Sequence, residues 1–120
     1  MSKRLLLSVI YLSLAFAGAA LTITANIDFV QQYGPGFNLA LFIDLANSNA
    51  ASQSLTYDLL IGATAITIWI ITESKRLKMR HLWLVLLSTI TIAFAFAAPL
   101  FLFLRERRLD ELERNKETLF

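Results

Sequence analysis

Three long apolar segments, separated by polar stretches, dominate the sequence. They cover residues 5–25, about 55–72 and 82–104. A transmembrane helix needs about 20 mostly apolar residues, because it rises about 1.5 Å per residue and the hydrocarbon core is roughly 30 Å thick. The pattern therefore predicts three transmembrane helices.

The first segment shares features with a secretory signal peptide. Lys3 and Arg4 precede the apolar run, and the small residues of AFAGAA resemble a cleavage site. The run continues through Leu21 and Ile23, however, well past the point where cleavage would fall. We therefore expect a retained membrane anchor.

Two shorter elements lie outside the predicted spans. The turn signal Gly-Pro-Gly at 34–36 precedes residues 37–46, which are apolar but only half the length of a span. They suit an interfacial or re-entrant helix with Asp44 facing water or headgroups. The tail, 105–120, has oppositely charged residues four apart, Arg107 with Glu111 and Asp110 with Arg114, which is typical of an exposed helix. That tail is either a solvated helix end or a docking surface for a larger partner.

The predicted fold is an all-α integral membrane bundle forming a single domain over residues 1–120. The 57% hydrophobic content exceeds the roughly 45–50% usual for soluble domains. The net charge of +2 is small and the basic residues flank apolar runs, which indicates membrane topology and not nucleic-acid binding. The absence of cysteine excludes disulfides, thiol nucleophiles and cysteine metal ligands.

The distribution of lysine and arginine predicts the orientation. These residues occur at 3–4 and between 75 and 80, whereas the loop at 26–53 has only Asp28 and Asp44 as charges. By the positive-inside rule, the N-terminus and the second loop are cytoplasmic and the first loop lies on the opposite side. Three spans then place the C-terminus opposite the cytoplasm, where the arginines of 105–108 violate the rule.

Small residues at helical spacing mark expected helix contacts, because helices in lipid associate through close packing. The residues in question are Gly18 in the first span, Gly62 and Ala65 in the second, and Ala95 in the third. Pro99, also in the third span, frees a carbonyl one turn earlier and favours a kink. The sequence does not indicate which group satisfies that carbonyl.

Asp58 is a carboxylate near the start of the second predicted span, on its small-residue stripe, so we expect it to face protein. One interpretation is structural: Asp58 caps its own helix or bonds to Thr22 or Asn26. The other is a proton or ligand site formed with Tyr57, Asn26 and the loop helix. Glu73 lies about 22 Å further along the helix, so the two acids are not a catalytic pair. We expect Glu73 to pair with the basic residues that follow it.

His81 is the only histidine, and we expect it to form part of the basic rim beside Trp83. An alternative is an axial ligand to a pigment or haem metal. The cofactor is not determined by the sequence, and chlorophyll and carotenoid are the candidate pigments, held through His81 or a backbone carbonyl. One histidine does not build a zinc site without several oxygen ligands. Phosphate-binding loops, nucleophile elbows, metal-ligand spacings and internal repeats are absent from the sequence, and nothing indicates a soluble small-molecule substrate.

The second half of the chain carries a resemblance. The segments NAASQSLTYDLL, WIITESKRLKMRHLWL and AFAFAAPLFLFLRERRL resemble a cyanobacterial family of small three-span membrane proteins known only as a domain of unknown function. The residues that carry it are Ser54, Thr56, Asp58, Glu73, Arg76, His81, Pro99, Leu100, Phe101, Arg105, Glu106 and Arg107, with Leu82 as a departure between His81 and Trp83. The resemblance implies the thylakoid or plasma membrane of a photosynthetic bacterium, and no activity.

Three functions are compatible with these features. The first is a non-catalytic accessory or assembly subunit of a larger membrane complex, photosynthetic if the resemblance holds. The second is a small transporter component or a lipid- or isoprenoid-substrate enzyme that uses Asp58. The third is a pigment-binding subunit. The predicted partners are membrane lipids and a larger membrane protein complex.

Overall fold

The computed structural model describes residues 2–34, 36–91 and 93–119, with the backbone alone at 90, 91 and 117–119. The described residues are α-helical and include no strand, so the predicted all-α class is confirmed. The helices are α1 (Lys3–Tyr33), α2 (Leu39–Ala46), α3 (Ala50–Leu77), α4 (Leu82–Thr91) and α5 (Phe94–Leu119). The predicted helix at 37–46 corresponds to α2, and the predicted helical tail is the end of α5.

Short polar side chains set where three of the helices begin. The side-chain oxygens of Ser2, Asn38 and Asn49 accept hydrogen bonds from the backbone amides of Leu5, Leu41 and Ser52, at 3.1, 3.1 and 2.8 Å. Such caps satisfy amides that have no partner within the first turn. Because Asn49 caps α3, this helix starts five residues before the predicted boundary, which places Asp58 in its third turn.

Positive φ angles mark two helix ends. Gly34 and Gly36 have φ values of 116° and 81°, which only glycine adopts readily, so these two residues form the predicted turn while Pro35 lies outside the described residues. α3 ends at Leu77, and the residue that caps it, Lys78, has a left-handed φ of 55°. Lys78 therefore redirects the chain into the short connection to α4.

Within the described part of the chain, two helices, α1 and α3, are long and apolar enough to cross a membrane. The core helix of a soluble protein passes the same test of length and composition but is mostly buried. In the most apolar windows of α1 and α3, only 11% and 6% of the residues are buried inside this chain. Their apolar side chains therefore face outward, as contact with lipid or with another apolar surface requires.

The third predicted span, 82–104, is not one helix. α4 ends at Thr91 and α5 begins at Phe94, with residue 92 outside the described part of the chain. α4 lies against α5, because Val85 and Phe101 share a buried cluster with Ile70 and Ala97. A continuous helix would hold Val85 and Phe101 about 24 Å apart. The prediction of three transmembrane helices is thus not confirmed, and α4 and the first part of α5 lie side by side as a helical hairpin.

α5 is the helix against which α1, α3 and α4 pack. α1 runs antiparallel to it: Arg4 contacts Glu113, whereas Gly18 faces Ala95. α3 runs parallel to α5, as its contacts from Trp69–Phe101 to Leu77–Arg108 demonstrate. The start of α1, the end of α3 and the C-terminal tail therefore lie at one end of the molecule.

This arrangement brings the C-terminal tail next to the start of α1. The sequence placed the C-terminus on the side opposite the N-terminus. In the structure, Arg4 Nη2 and Glu113 Oε1 are 2.6 Å apart. The tail therefore lies beside the start of α1. The membrane sides on which the two chain ends lie stay a prediction.

α1 and α5 approach each other closely at Gly18, as its small size predicted. A Cβ atom built on Gly18 would overlap the Ala95 carbonyl oxygen and lie 2.7 Å from the carbonyl carbon. Pro99, four residues after Ala95, has no amide hydrogen to donate to that carbonyl. The backbone of Gly18 therefore covers the carbonyl that the proline leaves without its helical partner, where a Cα–H group can contact it.

The predicted contacts of Gly62 and Ala65 are not made within this chain. Both residues are exposed, and a Cβ atom built on Gly62 would meet nothing within 4 Å. The physical reason is the turn between α4 and α5. Because the hairpin reverses there, it packs against the end of α3 and leaves Gly62 and Ala65 uncovered.

Candidate functional site

A group of arginines and glutamates joins three helices at the end of the molecule where the N-terminus and the tail meet. We call it the charged layer and define it by its members: Arg4, Glu73, Arg76, Arg105, Glu106 and Glu113. It lies next to the buried cluster around Phe101. With three cations and three anions it is formally neutral.

Glu73 is the most connected member of the charged layer. Its side chain is 9% exposed. It accepts hydrogen bonds from Nε and Nη2 of Arg76, at 3.0 and 2.6 Å, and from Nε of Arg105 at 3.0 Å. The Arg105 guanidinium also lies over the Trp69 ring, 5.6 Å from its centroid. Charge-assisted bonds and ring stacking thus hold α3 to α5.

Two other acids of the charged layer, Glu106 and Glu113, connect α5 to Arg4 of α1. Arg4 donates to Glu106 at 2.8 Å and to Glu113 at 2.6 Å, and the side chain of Glu106 is only 7% exposed. Arg105 also lies 3.8 Å from Glu106, so it links the ion pairs around Glu73 to those around Arg4. A half-buried charge without a partner is unfavourable in low dielectric, so each member depends on the others.

Two polar side chains next to the charged layer, Arg108 and Ser74, differ in their hydrogen bonding. Arg108 Nε donates to the Leu77 carbonyl at 2.8 Å and so satisfies a carbonyl in the last turn of α3. The Ser74 hydroxyl is buried and has no hydrogen-bond partner among the described residues. An unsatisfied buried hydroxyl is destabilising, which makes Ser74 a weak point of the packing.

A cleft of about 590 Å³ opens beside the charged layer, between the α3–α4 connection and α5. We call it the basic cleft. It is lined by Lys78, Met79, Arg80, His81, Leu104, Arg107, Arg108 and Glu111. His81 is exposed here, as part of the basic rim that the sequence predicted. Whether it binds a pigment stays a prediction.

The structure does not assemble the predicted site around Asp58. Asp58 is exposed, and within the described residues its carboxylate has no hydrogen bond or ion pair. Tyr57 accepts a hydrogen bond from Gln53 at 3.1 Å, and Asn26 lies on α1, which packs on α5. The expectation that Asp58 faces protein is therefore wrong for the isolated chain. Its third-turn position also removes it from the free amides of the helix start.

Of the two arginines that pair with Glu73, the sequence predicted one. Arg76 pairs with it, as expected, whereas Arg105 was not predicted. Arg105 follows an apolar run that the sequence placed across the membrane from Glu73, so the pairing required the hairpin. The available signal was that Glu73, Arg105 and Glu106 all belong to the resemblance motif.

The charged layer interacts with its surroundings through electrostatics. Among the described residues, no group of three or more histidines or acids is placed to hold a metal ion. The arginines of the charged layer are occupied by its own acids. The layer is therefore suited to holding helices together, while the basic cleft presents cations to its surroundings.

These features define a small all-α protein with two helices of membrane-spanning length and a neutral arginine–glutamate layer at one end. The chain belongs to the family described as Protein of unknown function DUF2834, whose model matches residues 10–107. The match includes most of the charged layer and confirms the expected domain of unknown function. Comparisons with curated proteins and with solved structures gave no significant match.

Proposed function

We propose that this protein is an integral membrane accessory or assembly subunit that receives a transmembrane helix of a larger complex on the exposed face of α3. The observation that carries the proposal is the stripe formed by Asp58, Gly62 and Ala65. These residues lie at helical spacing and are all exposed in the isolated chain.

Lipid alone does not account for such a stripe. Acyl chains are as apolar as leucine, so small residues gain nothing from lipid contact, whereas they let another helix approach closely. A carboxylate at the bilayer centre costs about 2.5–3.5 kcal/mol on insertion scales, and less near the interface. A partner helix that donates a hydrogen bond to Asp58 offsets this cost.

We propose further that the charged layer lies at the cytoplasmic surface. Every lysine and arginine falls at 3–4, between 75 and 80, or between 105 and 116. Arg4, Arg76 and Arg105 of the charged layer connect these three segments. The positive-inside rule then favours both ends of the chain in the cytoplasm. In this orientation the arginines of 105–108 no longer violate the rule, as they would with three spans.

In this orientation α1 and α3 cross the membrane and the hairpin enters it from the cytoplasmic side. α4 has 10 residues, which extend about 15 Å, or half the hydrocarbon thickness. Backbone that turns at such a depth is tolerated where protein covers it, and Gly18 of α1 packs against the hairpin next to its turn. The photosynthetic setting stays a prediction based on the resemblance.

Cysteine labelling tests the orientation, and the cysteine-free chain makes single-cysteine variants unambiguous. Lys3→Cys and Lys116→Cys should react with a membrane-impermeant maleimide from the cytoplasmic side in inverted vesicles. Ser48→Cys, in the α2–α3 connection, should react from the other side in intact cells. Labelling of Lys3→Cys and Lys116→Cys from opposite sides would refute the orientation.

Co-purification in mild detergent tests the docking of a partner helix. Gly62→Leu fills the stripe, whereas Leu60→Phe adds bulk to another exposed position of the same helix. We expect a defined set of membrane proteins to accompany the wild-type chain and Leu60→Phe but not Gly62→Leu. Recovery of only the free protein in all three samples would contradict the proposal, as would equal retention of partners by both variants.

A further inference from the structure

We propose that the basic cleft binds the phosphate headgroup of an anionic membrane lipid. Four permanent cations line it, namely Lys78, Arg80, Arg107 and Arg108. Glu111 is its one acidic lining residue. The volume of about 590 Å³ falls within the roughly 300–1,000 Å³ typical of small-ligand sites. With four cations and one acid, the lining carries a net positive charge.

The cations differ in how far they are already occupied. Arg107 contacts Asp110 at 3.5 Å, and Arg108 pairs with Glu111 at 3.0 Å. Lys78 and Arg80 form no ion pair with any described residue. These two side chains therefore have charge and hydrogen-bond donors to offer a phosphate, which both lysine and arginine bind well.

The backbone around the cleft also favours an anion. The carbonyls of Ser74 and Lys75 at the end of α3 already accept hydrogen bonds from Met79 and Lys78, at 2.9 and 3.3 Å. Their negative ends are thus partly covered. α4 begins at Leu82, directly after His81 of the lining, so the positive end of its helix dipole lies at the cleft.

The apolar surroundings assign the phosphate to a lipid and not to a soluble ion. Met79 and Leu104 line the cleft and also pack on the buried cluster. Trp83 is 63% exposed in the first turn of α4, which follows immediately. A tryptophan in this position is typical of the interface between headgroups and acyl chains. A headgroup in the cleft would leave its acyl chains beside exposed apolar residues of α4.

Binding is measured with the purified full-length protein in a neutral detergent, so the result does not depend on the orientation proposed above. The probes are dioctanoyl phosphatidylglycerol, dioctanoyl phosphatidylcholine and inorganic phosphate. The test variant is the double substitution Lys78→Gln and Arg80→Gln, which removes both charges and keeps polar side chains. The control removes the same charge outside the cleft, by Lys75→Gln together with Lys116→Gln.

We expect saturable binding of the anionic lipid that the test variant weakens by at least about tenfold, because two charge-assisted contacts are lost. The control should change the affinity less than about twofold, since exposed charges at a distance are screened by salt. Equal weakening by both variants would overturn the proposal, because it would indicate a diffuse attraction. Phosphatidylcholine or inorganic phosphate binding as tightly as phosphatidylglycerol would overturn it as well.

Discussion

The contact between Gly18 and the Ala95 carbonyl makes a sharp prediction for Gly18→Ala. The added methyl group would overlap backbone, which gives way less readily than a flexible side chain, so α1 and α5 must move apart. Overpacking of this kind costs about 1–3 kcal/mol. Against that, alanine is favoured over glycine in a helix interior by about 1 kcal/mol. The net effect on the free energy of unfolding is a loss of up to about 2 kcal/mol.

Gly62→Ala is the matched control for this prediction. It makes the same chemical change in another long apolar helix, at a position where the new methyl group meets nothing within 4 Å. The difference between the two variants removes the helix-propensity contribution, so Gly18→Ala should be less stable than Gly62→Ala by about 1–3 kcal/mol. The test compares glycine positions of opposite packing in one chain.

Thermal unfolding in detergent, followed by tryptophan fluorescence, measures this difference, because Trp69 packs against Phe101 in the folded state at a ring-centroid distance of 5.3 Å. We expect the melting temperature of Gly18→Ala to fall several degrees below that of Gly62→Ala. A melting temperature for Gly18→Ala equal to or above that of Gly62→Ala would show that the two helices do not meet at this glycine. The hairpin would then not pack against α1 in the way described above.

Pro99→Ala probes the same contact from the other side. It supplies an amide that can bond the Ala95 carbonyl within α5 and draw it back towards the axis of the helix. We therefore expect Gly18→Ala to be less harmful in the Pro99→Ala background than in the wild type. Additive effects in this double-mutant cycle, measured by the same melting experiment, would mean that Pro99 does not influence the contact between Gly18 and the Ala95 carbonyl.

Further predictions concern the charged layer and its surroundings. Arg105→Gln leaves Glu73 with one arginine and should destabilise the protein by about 1–3 kcal/mol in the same melting assay. The control Lys75→Gln removes an exposed charge on α3 and should change the stability by less than about 0.5 kcal/mol. Equal effects of the two variants would contradict a structural role for the charged layer. Ser74→Ala removes a buried hydroxyl without a partner and should leave stability unchanged or raise it by up to about 1 kcal/mol. A clear loss of stability in Ser74→Ala would mean that the hydroxyl has a partner in the assembled protein.

The elements that the sequence predicted well are those that depend on neighbours along the chain. The apolar windows that became α1 and α3, the short helix before Asn47 and the charged helical tail all follow from composition and local spacing. The small size of Gly18 also indicated its contact correctly. Each of these features is decided within one or two helical turns, which is the range that a sequence pattern describes.

The candidate site was predicted less well, because its geometry depends on one turn. Residues 82–104 are as apolar as a span, and an apolar run packs equally well against lipid or against protein. A single helix over this segment would have put Arg105 on the far side from Glu73. The hairpin brings them together instead, and for the same reason leaves Asp58 exposed where a packing contact was expected.

The sequence by itself thus determined the helices, their apolar faces and the segments that carry positive charge, because these follow from local periodicity and composition. Only the tertiary structure decided that α4 folds back on α5, that the tail returns to Arg4, and that the charged layer and the basic cleft form at one end. The physical reason is that these outcomes rest on contacts between distant residues. Foremost among them is the close approach of Gly18 to a carbonyl that Pro99 leaves free.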